Sequence, residues 1–351
     1  MKLEQSKLTI RKYNEIPDWD AFVEAHPHGT ILHTTDMIRC EECTKRHIPH
    51  AFGVLDSNEN LCALLVAVRV SMLTGVPSTL TSRSIFYAEP ICLDTPEGHA
   101  GYNVLLRHHD QCMCKTTLFA EMRLVHEVSG FHSQLIENGY QRRGYLNYEL
   151  NLAGSEVELF SAIGQKSRNN VRCANRKGVR VDEVDPADCV ELIYSLISES
   201  YAHSKVPMVD STLFQSAASI LSRSQFRVMT AIYNETPIAV VCFLTFKKRV
   251  ICWYAGTKRL PGVPAVSRVF WEAIRQFARE GFEIFDFAGG GWEGEEYGPG
   301  RFKSKFGGQQ SNYGRYRKIY APWKLKTAQS VYETVREYIA PKSQLDTILR
   351  Q

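Results

Sequence analysis

The chain has 351 residues, of which 44% are hydrophobic and 23% charged. That balance excludes a disordered or fibrous chain and, at about 100–200 residues per domain, gives room for two domains. Its 42 basic and 38 acidic residues leave a formal charge of +4, too small a surplus for a protein that coats nucleic acid over its whole surface but compatible with a local basic stripe. No apolar run approaches the roughly 20 residues that span a bilayer, so no transmembrane segment is expected. The opening residues Met1–Ser6 lack the apolar core of a signal peptide, and the ten cysteines have no framework spacing. Both point to a cytoplasmic protein with reduced thiols.

In chain order, Asp18–Glu24 after Pro17 reads as a short helix, and Thr34–Lys45 as another with Thr34 and Thr35 as candidate N-caps. His50–Leu55 and Leu61–Val70 read as strands joined by the polar turn Asp56–Asn60. The second is nearly all apolar and belongs in the middle of a sheet. Gly101–Cys112 reads as a helix, and Leu118–Glu127 and Tyr145–Leu150 as strands. A similar order then restarts. Glu156–Ile163 is helical, Gln165–Arg180 is a basic stretch, and Cys189–His203 and Ser211–Leu221 are helical. Phe226–Tyr233, Ile238–Phe246 and Arg249–Ala255 are strands. Val266–Glu280 is an amphipathic helix stopped by Gly281, and Phe282–Phe287 is a strand. The pattern is mixed and repeated, which predicts two α+β units of similar design and not a doubly wound parallel sheet. The boundary falls near Asn151–Ser155: one unit over 1–152, completed by 320–351, and a second over 153–319.

The loop Thr257–Ala265 joins a strand to a helix N-terminus, where backbone N–H groups and the helix dipole suit an anion. Arg259, Gly262 and, in the first turn of the helix, Ser267 are its candidate anion-binding residues. Pro261 and Pro264 remove amide donors, and an ordinary strand-to-helix connection is the competing reading. Gly289, Gly290 and Gly291 follow the strand Phe285-Asp286-Phe287. Three consecutive glycines imply positive φ or a close backbone approach to a ligand. A match of Gly289, Gly291 and Gly294 to a dinucleotide fingerprint is accidental, because acids and no helix follow. Arg301-Phe302-Lys303-Ser304-Lys305-Phe306 comes next.

The order strand, Phe-Asp-Phe, glycines, then Arg-Phe-Lys-x-Lys-Phe-Gly-Gly resembles the C-terminal signature of Fem-type aminoacyltransferases and their FemAB-like relatives in the GNAT superfamily. Tyr254–Thr257 is similar to the strand end before that family's second-domain helix, Lys166–Val181 to the basic helix and turn opening that domain, and Ile31–Met37 more weakly to an N-terminal motif. In the loop, the superfamily's pyrophosphate-cradling pattern (Arg or Gln, two residues, Gly, one residue, then Gly or Ala) is met by Arg259 and Gly262 and departs at Pro264. The resemblance implies two tandem GNAT-like domains with a cleft between them. It also implies an N-acyltransferase that moves an acyl or aminoacyl group to an amine on a cell-wall or surface-polysaccharide precursor. The donor would be acyl-CoA or aminoacyl-tRNA, with no tightly bound cofactor. The partners would be an anionic glycan or peptidoglycan-type acceptor, a tRNA contact and, through a lipid-linked acceptor, a peripheral membrane contact. A catalytically inactive GNAT-like binding module in polysaccharide assembly is the alternative.

On that resemblance Phe302 and Lys303 mark the reaction centre. Acyl transfer to an amine passes through a tetrahedral oxyanion, which a fixed cation stabilises. Lys303 is the candidate cation, with Phe302 walling the pocket. From composition alone Lys303 and Lys305 read as surface residues of an edge strand. Asp286 either holds or deprotonates the acceptor amine, or caps the backbone. Tyr254, Arg168, Lys166 and Arg39 are candidates to grip the substrate. Lys166 to Arg180 contains six cations and no acid, and Arg301 to Lys326 is a second acid-free basic run; phosphates suit both, as does a solvated helix face. His108, His109, Cys112, Cys114 and the Cys40/Cys43 pair lack zinc-ribbon spacing, so no metal is expected. No Gly-x-Ser-x-Gly elbow supports serine hydrolysis. The tail predicts an amphipathic helix over about Lys326–Ile339, packing back on the first unit, and no coiled-coil arm.

Overall fold

The computed structural model describes residues 8–72, 81–204, 208–295, 298–328 and 330. The chain first forms β1 (Thr9–Lys12), α1 (Trp19–Ala25), α2 (Thr35–Glu42), β2 (His47–Leu55), β3 (Leu61–Val70), β4 (Arg83–Phe86), β5 (Ile91–Cys92), α3 (Pro96–Met113), β6 (Phe119–Arg123), α4 (His132–Glu137) and β7 (Gln141–Arg143). It continues with β8 (Tyr145–Asn151), α5 (Glu156–Ala162), α6 (Gln165–Arg176), β9 (Arg180–Val184), α7 (Val190–Ser204), α8 (Thr212–Ile220), β10 (Phe226–Tyr233), β11 (Thr236–Phe246) and β12 (Arg249–Thr257). Then come α9 (Ala265–Arg279), β13 (Ile284–Trp292), α10 (Gly298–Lys305), β14 (Gln309–Ser311) and β15 (Arg315–Ile319). Local signals set several ends. Thr34 caps α2 by accepting the Met37 N–H at 3.3 Å, and Ser155 with Glu158 forms a capping box on α5.

Two mixed sheets result. The first runs β1-β2-β3-β4-β6-β15-β7, with β5 also on β3; the second runs β14-β8-β13-β12-β11-β10-β9. Neighbours are antiparallel except for one parallel pair in each sheet, β4 with β6 and β12 with β13. A helix intervenes between the partners of each parallel pair, α3 in the first and α9 in the second, so the repeat expected from the sequence is present as two α+β units. The parallel pair needs a further strand on its far side, and here the chain crosses over. β8 covers β13 in the second sheet, and β15 returns to cover β6 in the first. Tyr145–Asn151 therefore lies outside the sheet to which the boundary near 152 assigns it. The return to the first unit starts at Arg315, ahead of 320. Lys318 Nζ donates to Asp110 Oδ2 at 2.7 Å and the Tyr320 hydroxyl to Asp110 Oδ1 at 2.5 Å, fastening this return to α3. Residues 322–328 are helical; most of the helix expected over 326–339 lies outside the described residues.

β3 is apolar along nearly its whole length because it is buried in mid-sheet. In the second unit, Val269, Phe270, Ala273, Ile274 and Phe277 form the i, i+4, i+8 stripe of α9 that seals one sheet face. The other face is closed by α7 and α8 together with Ile31, Met37 and Cys40 from the first unit, so the two units share a core. Phe277 is fully buried among Phe243, Phe282 and Phe285. Phe277→Ala is expected to lower stability by about 3–5 kcal/mol through lost burial and the cavity left behind, read as a drop in the urea midpoint.

Candidate active site

The second sheet contains a fork. β12 and β13 pair at only three positions, Arg249 with Ile284, Val250 with Phe285 and Ile251 with Asp286. Beyond them β12 stays on β11 as far as Thr257, while β13 stays on β8 as far as Trp292. The strands therefore diverge beyond Ile251 and Asp286. Bulges on both sides open the fork: one in β12 skips Trp253, and two in β13 lie between Asp286 and Gly291. Ala288 in this stretch has φ of 60°, and its N–H donates to Asp286 Oδ1 at 2.7 Å.

The glycine run lies inside β13, which extends past the Phe287 expected as its end. The space a ligand was expected to fill is taken by the protein itself. A Cβ on Gly289 would lie 2.5 Å from the Tyr145 ring, one on Gly290 2.2 Å from the Tyr148 ring, and one on Gly300 2.1 Å from the Gly290 carbonyl oxygen. That last contact brings α10 onto β13. Lys303 and Lys305 therefore belong to a helix and not to an edge strand. The sequence gives little sign of it, because Gly-Pro-Gly opens the helix.

Lys303 is half-buried and turns its ammonium inward, where Nζ donates to Gly289 O at 2.6 Å. Burial pushes its pKa below the ordinary 10.5, opposed by the nearby Cys252 and Asp286. Phe302 packs edge-on to Phe270 and against Phe306, on the core of the second unit. Asp286 is buried in mid-strand. Arg249 Nη1 donates to Asp286 Oδ2 at 3.1 Å and to Glu149 Oε1 at 2.9 Å. Burial raises the Asp286 pKa above 3.8, and Glu149 adds to this against the pull of Arg249. The fork thus brings a buried carboxyl group and an inward-turned ammonium group close enough to act on one another electrostatically. Asp286 caps the backbone at Ala288, the structural one of its two expected roles.

At the start of α9, Pro264 is the N-cap and offers no side-chain cap. The N–H groups of Val263 and Ala265 are used inside the loop. Arg259 is exposed, Gly262 has φ of 71°, and Lys177 Nζ lies 3.3 Å from where a Gly262 Cβ would stand. Two cations thus flank an uncapped helix start, which favours an anion. Ser267 is buried within the first turn.

The remaining candidates are dispersed. Arg168 donates to the carbonyls of Ser161 and Ile163, the second at 2.7 Å, and so holds the α5–α6 corner. Lys166 is exposed nearby. Arg39 is exposed and pairs with Asp36 at 3.3 Å. Tyr254 packs among Phe214, Trp253 and Tyr201, and burial drives its hydroxyl pKa well above 10. The two basic runs meet where Gly164 N–H donates to Lys305 O at 2.8 Å, and then the second run leaves for the first sheet.

Sequence reading missed a cationic junction. Arg83, Arg123, Arg315 and Arg317 gather on adjacent strands of the first sheet. Glu121 pairs with Arg123 at 3.1 Å, with Arg315 at 3.0 Å and with Arg317. Burial opposes ionisation of Glu121, yet the three guanidinium groups hold its pKa at about 2. Arg315 lies 3.6 Å over the Tyr145 ring and 5.3 Å from Trp292, both on the second sheet. Burial, together with Arg123 and Arg317, lowers the Arg315 pKa to about 10. Four guanidinium groups around one carboxylate leave an excess of positive charge at the junction of the units. Residues from three strands far apart in sequence make the cluster, so only the pairing of β4, β6 and β15 could have revealed it. A buried chain of Ser84, His109 and Asp110 was also missed. Ser84 and His109 are fully buried, so the chain is a packing network without substrate access.

Residues 165–303, which span α6 to α10, match the profile of a family described as an acetyltransferase (GNAT) domain. The whole chain is similar in structure to FemX, with a TM-score of 0.68 and 12% identity over 92% of this chain and 99% of that one. The fold is that of a tandem GNAT protein. A tandem GNAT protein from the clavulanic acid biosynthesis pathway gives a TM-score of 0.58 and 8% identity over 90% of this chain and 99% of that one. The C-terminal DUF2156 domain of a putative lysylphosphatidylglycerol synthetase from Agrobacterium fabrum gives 0.57 and 12% over 92% and 96%. No curated protein matches the chain in sequence. Within the tandem GNAT fold, the family match ends at Lys303, so the fork and its lysine lie inside it. Among the described residues, no helix is long and apolar enough to cross a membrane.

Proposed function

We propose that the protein is an N-acyltransferase of the FemAB-like type, moving an acyl or aminoacyl group to an amine on an anionic cell-wall or surface-polysaccharide precursor. One observation carries the reading: the inward-turned Lys303 ammonium reaches β13 at Gly289, near enough to the buried carboxyl of Asp286 for the two to act on one another. The donor's carbonyl enters the fork, and its phosphates lie toward Arg259, Lys177 and the α9 N-terminus. The acceptor amine attacks the carbonyl carbon, and the C=O electron pair moves onto oxygen. The Lys303 hydrogens not used by Gly289 stabilise that oxyanion. Asp286 takes the proton released by the amine. Collapse of the intermediate re-forms the C=O bond and breaks the bond to the thiolate of coenzyme A, or to the ribose oxygen of an aminoacyl-tRNA, which takes the proton from Asp286. The arginine excess beside Glu121 supports an acceptor that carries phosphate or carboxylate.

The test is a donor screen by thermal shift and mass spectrometry with acetyl-CoA, longer acyl-CoA esters and aminoacyl-tRNA. One donor class is expected to raise Tm saturably and to yield an acylated amine when an amino sugar nucleotide or peptidoglycan precursor is supplied. If no donor binds while such an acceptor does, the protein is a binding module and the transferase reading fails.

A further inference from the structure

Among the described residues, two groups bring three ligand atoms within 4.8 Å of one another: His28, Glu89 and His126, and His50, His108 and Cys112. The first comes from three separate segments, the turn after α1, the β4–β5 connection and the stretch after β6. No spacing in the sequence joins them.

Glu89 and the His28 backbone are held from behind, and His126 is held by Glu89 itself. Glu89 is buried, its Oε2 accepts the Val125 N–H at 2.8 Å, and its Oε1 lies 2.7 Å from His126 Nδ1. The Glu89 carbonyl lies 2.8 Å from His33 Nε2, and His33 Nδ1 is in turn tied to Thr30. His28 has its own N–H bonded to His26 Nδ1 at 3.1 Å, while His26 Nε2 reaches the Cys92 carbonyl at 2.9 Å. The rings of His28 and His126 lie nearly parallel with centroids 4.6 Å apart. His26 and His33 are thus occupied as supports, and His28, Glu89 and His126 converge. Arg249, near enough to act electrostatically on His28, is matched by Glu149 and Asp286. Outer hydrogen bonds of this kind are what fix metal ligands in orientation.

We infer that His28, Glu89 and His126 form a binding site for a first-row divalent transition ion, with zinc the natural occupant of such an N₂O ligand set. Three protein ligands leave at least one position of a four-coordinate ion open. That position suits a carboxylate or phosphate oxygen of the acceptor; this last step rests on the acyltransfer reading, whereas the ion site does not.

The test needs no substrate. Full-length protein stripped with a chelator is titrated with Zn²⁺ by calorimetry and then loaded with Co²⁺ for its visible spectrum, alongside His28→Ala, His126→Ala and Cys112→Ser. His28 makes no side-chain hydrogen bond among the described residues, so its alanine variant keeps the fold, checked by circular dichroism. The parent and Cys112→Ser are expected to bind Zn²⁺ alike, and both histidine variants to lose at least about tenfold in affinity, the lower end of what removing a supporting group costs a metal site. Unchanged binding in both histidine variants would overturn the proposal. So would a thiolate-to-cobalt charge-transfer band that vanishes in Cys112→Ser together with the binding, because it would place the ion on His50, His108 and Cys112.

Discussion

Lys303→Met is expected to cut acyl transfer by about 10²-fold or more while leaving Tm unchanged or raised. The two readouts have opposite causes. The ammonium acts because it is fixed in the fork, with one hydrogen on Gly289 O at 2.6 Å and the others turned to the oxyanion. Being fixed there also costs it hydration, which is why its pKa falls below 10.5. Methionine has nearly the same shape without the charge. Its introduction leaves Gly289 O one donor short, a penalty of about 1–3 kcal/mol, and removes an inward-facing charge whose cost is several kcal/mol per ion when burial is complete. The signs of the pH effects follow. The native state disfavours the charged lysine, so this penalty is fully present at low pH and is relieved as pH rises through the lowered pKa toward 10.5. Activity runs the other way, since the cation is lost over the same interval, and the alkaline limb of kcat should fall below pH 10.5. The measurements are kcat and KM across pH and a thermal melt of both proteins. Undiminished turnover in the methionine variant would remove Lys303 from the chemistry. A Tm several degrees lower would make it a structural lysine.

Much of the architecture is legible because it rests on local rules. The turn Asp56–Asn60, the apolar run of β3, the α9 stripe ended by Gly281 and the Thr34 cap are all short-range signals, and each element stands within a few residues of its expected place. Strand ownership is not legible. Nothing in Tyr145–Asn151 or Arg315–Ile319 says which sheet each completes, since that depends on which parallel pair needs covering. The site divides along the same line. Lys303, Phe302 and Asp286 are close in sequence and emerge from one motif, and the fold brings them to one fork. Arg249, Glu149, the arginine cluster around Glu121 and the His28–Glu89–His126 group are joined only through tertiary contact. The glycine run meets its two expected causes separately: Gly291 takes a φ of 111°, while the close approach has a different partner from the one expected. Close approach is required at Gly289 and Gly290, but tyrosine rings of β8 make it.

Asp286→Asn is expected to lower kcat by about 10²–10⁴-fold, the usual contribution of a positioned general base, and to abolish the acid limb of the pH–rate profile. Asparagine preserves the shape and still accepts the Ala288 N–H, so the bulge in β13 survives. It cannot take a proton from the amine. In the parent that limb should lie above 3.8, because burial and Glu149 disfavour the carboxylate and Arg249 offsets them only in part. Ionising Asp286 therefore costs the fold stability. The cost is absent below 3.8 and complete once pH has risen through the raised pKa, so the asparagine variant should gain on the parent in thermal stability over that interval. Glu149→Gln separates the base from its surroundings. It leaves Asp286 in place, removes a neighbouring negative charge and should shift the acid limb toward lower pH with a much smaller loss of kcat. An Asp286→Asn profile that keeps its acid limb would assign the proton transfer to another group. It would leave Asp286 as the residue that holds Arg249 and the β13 bulge in place.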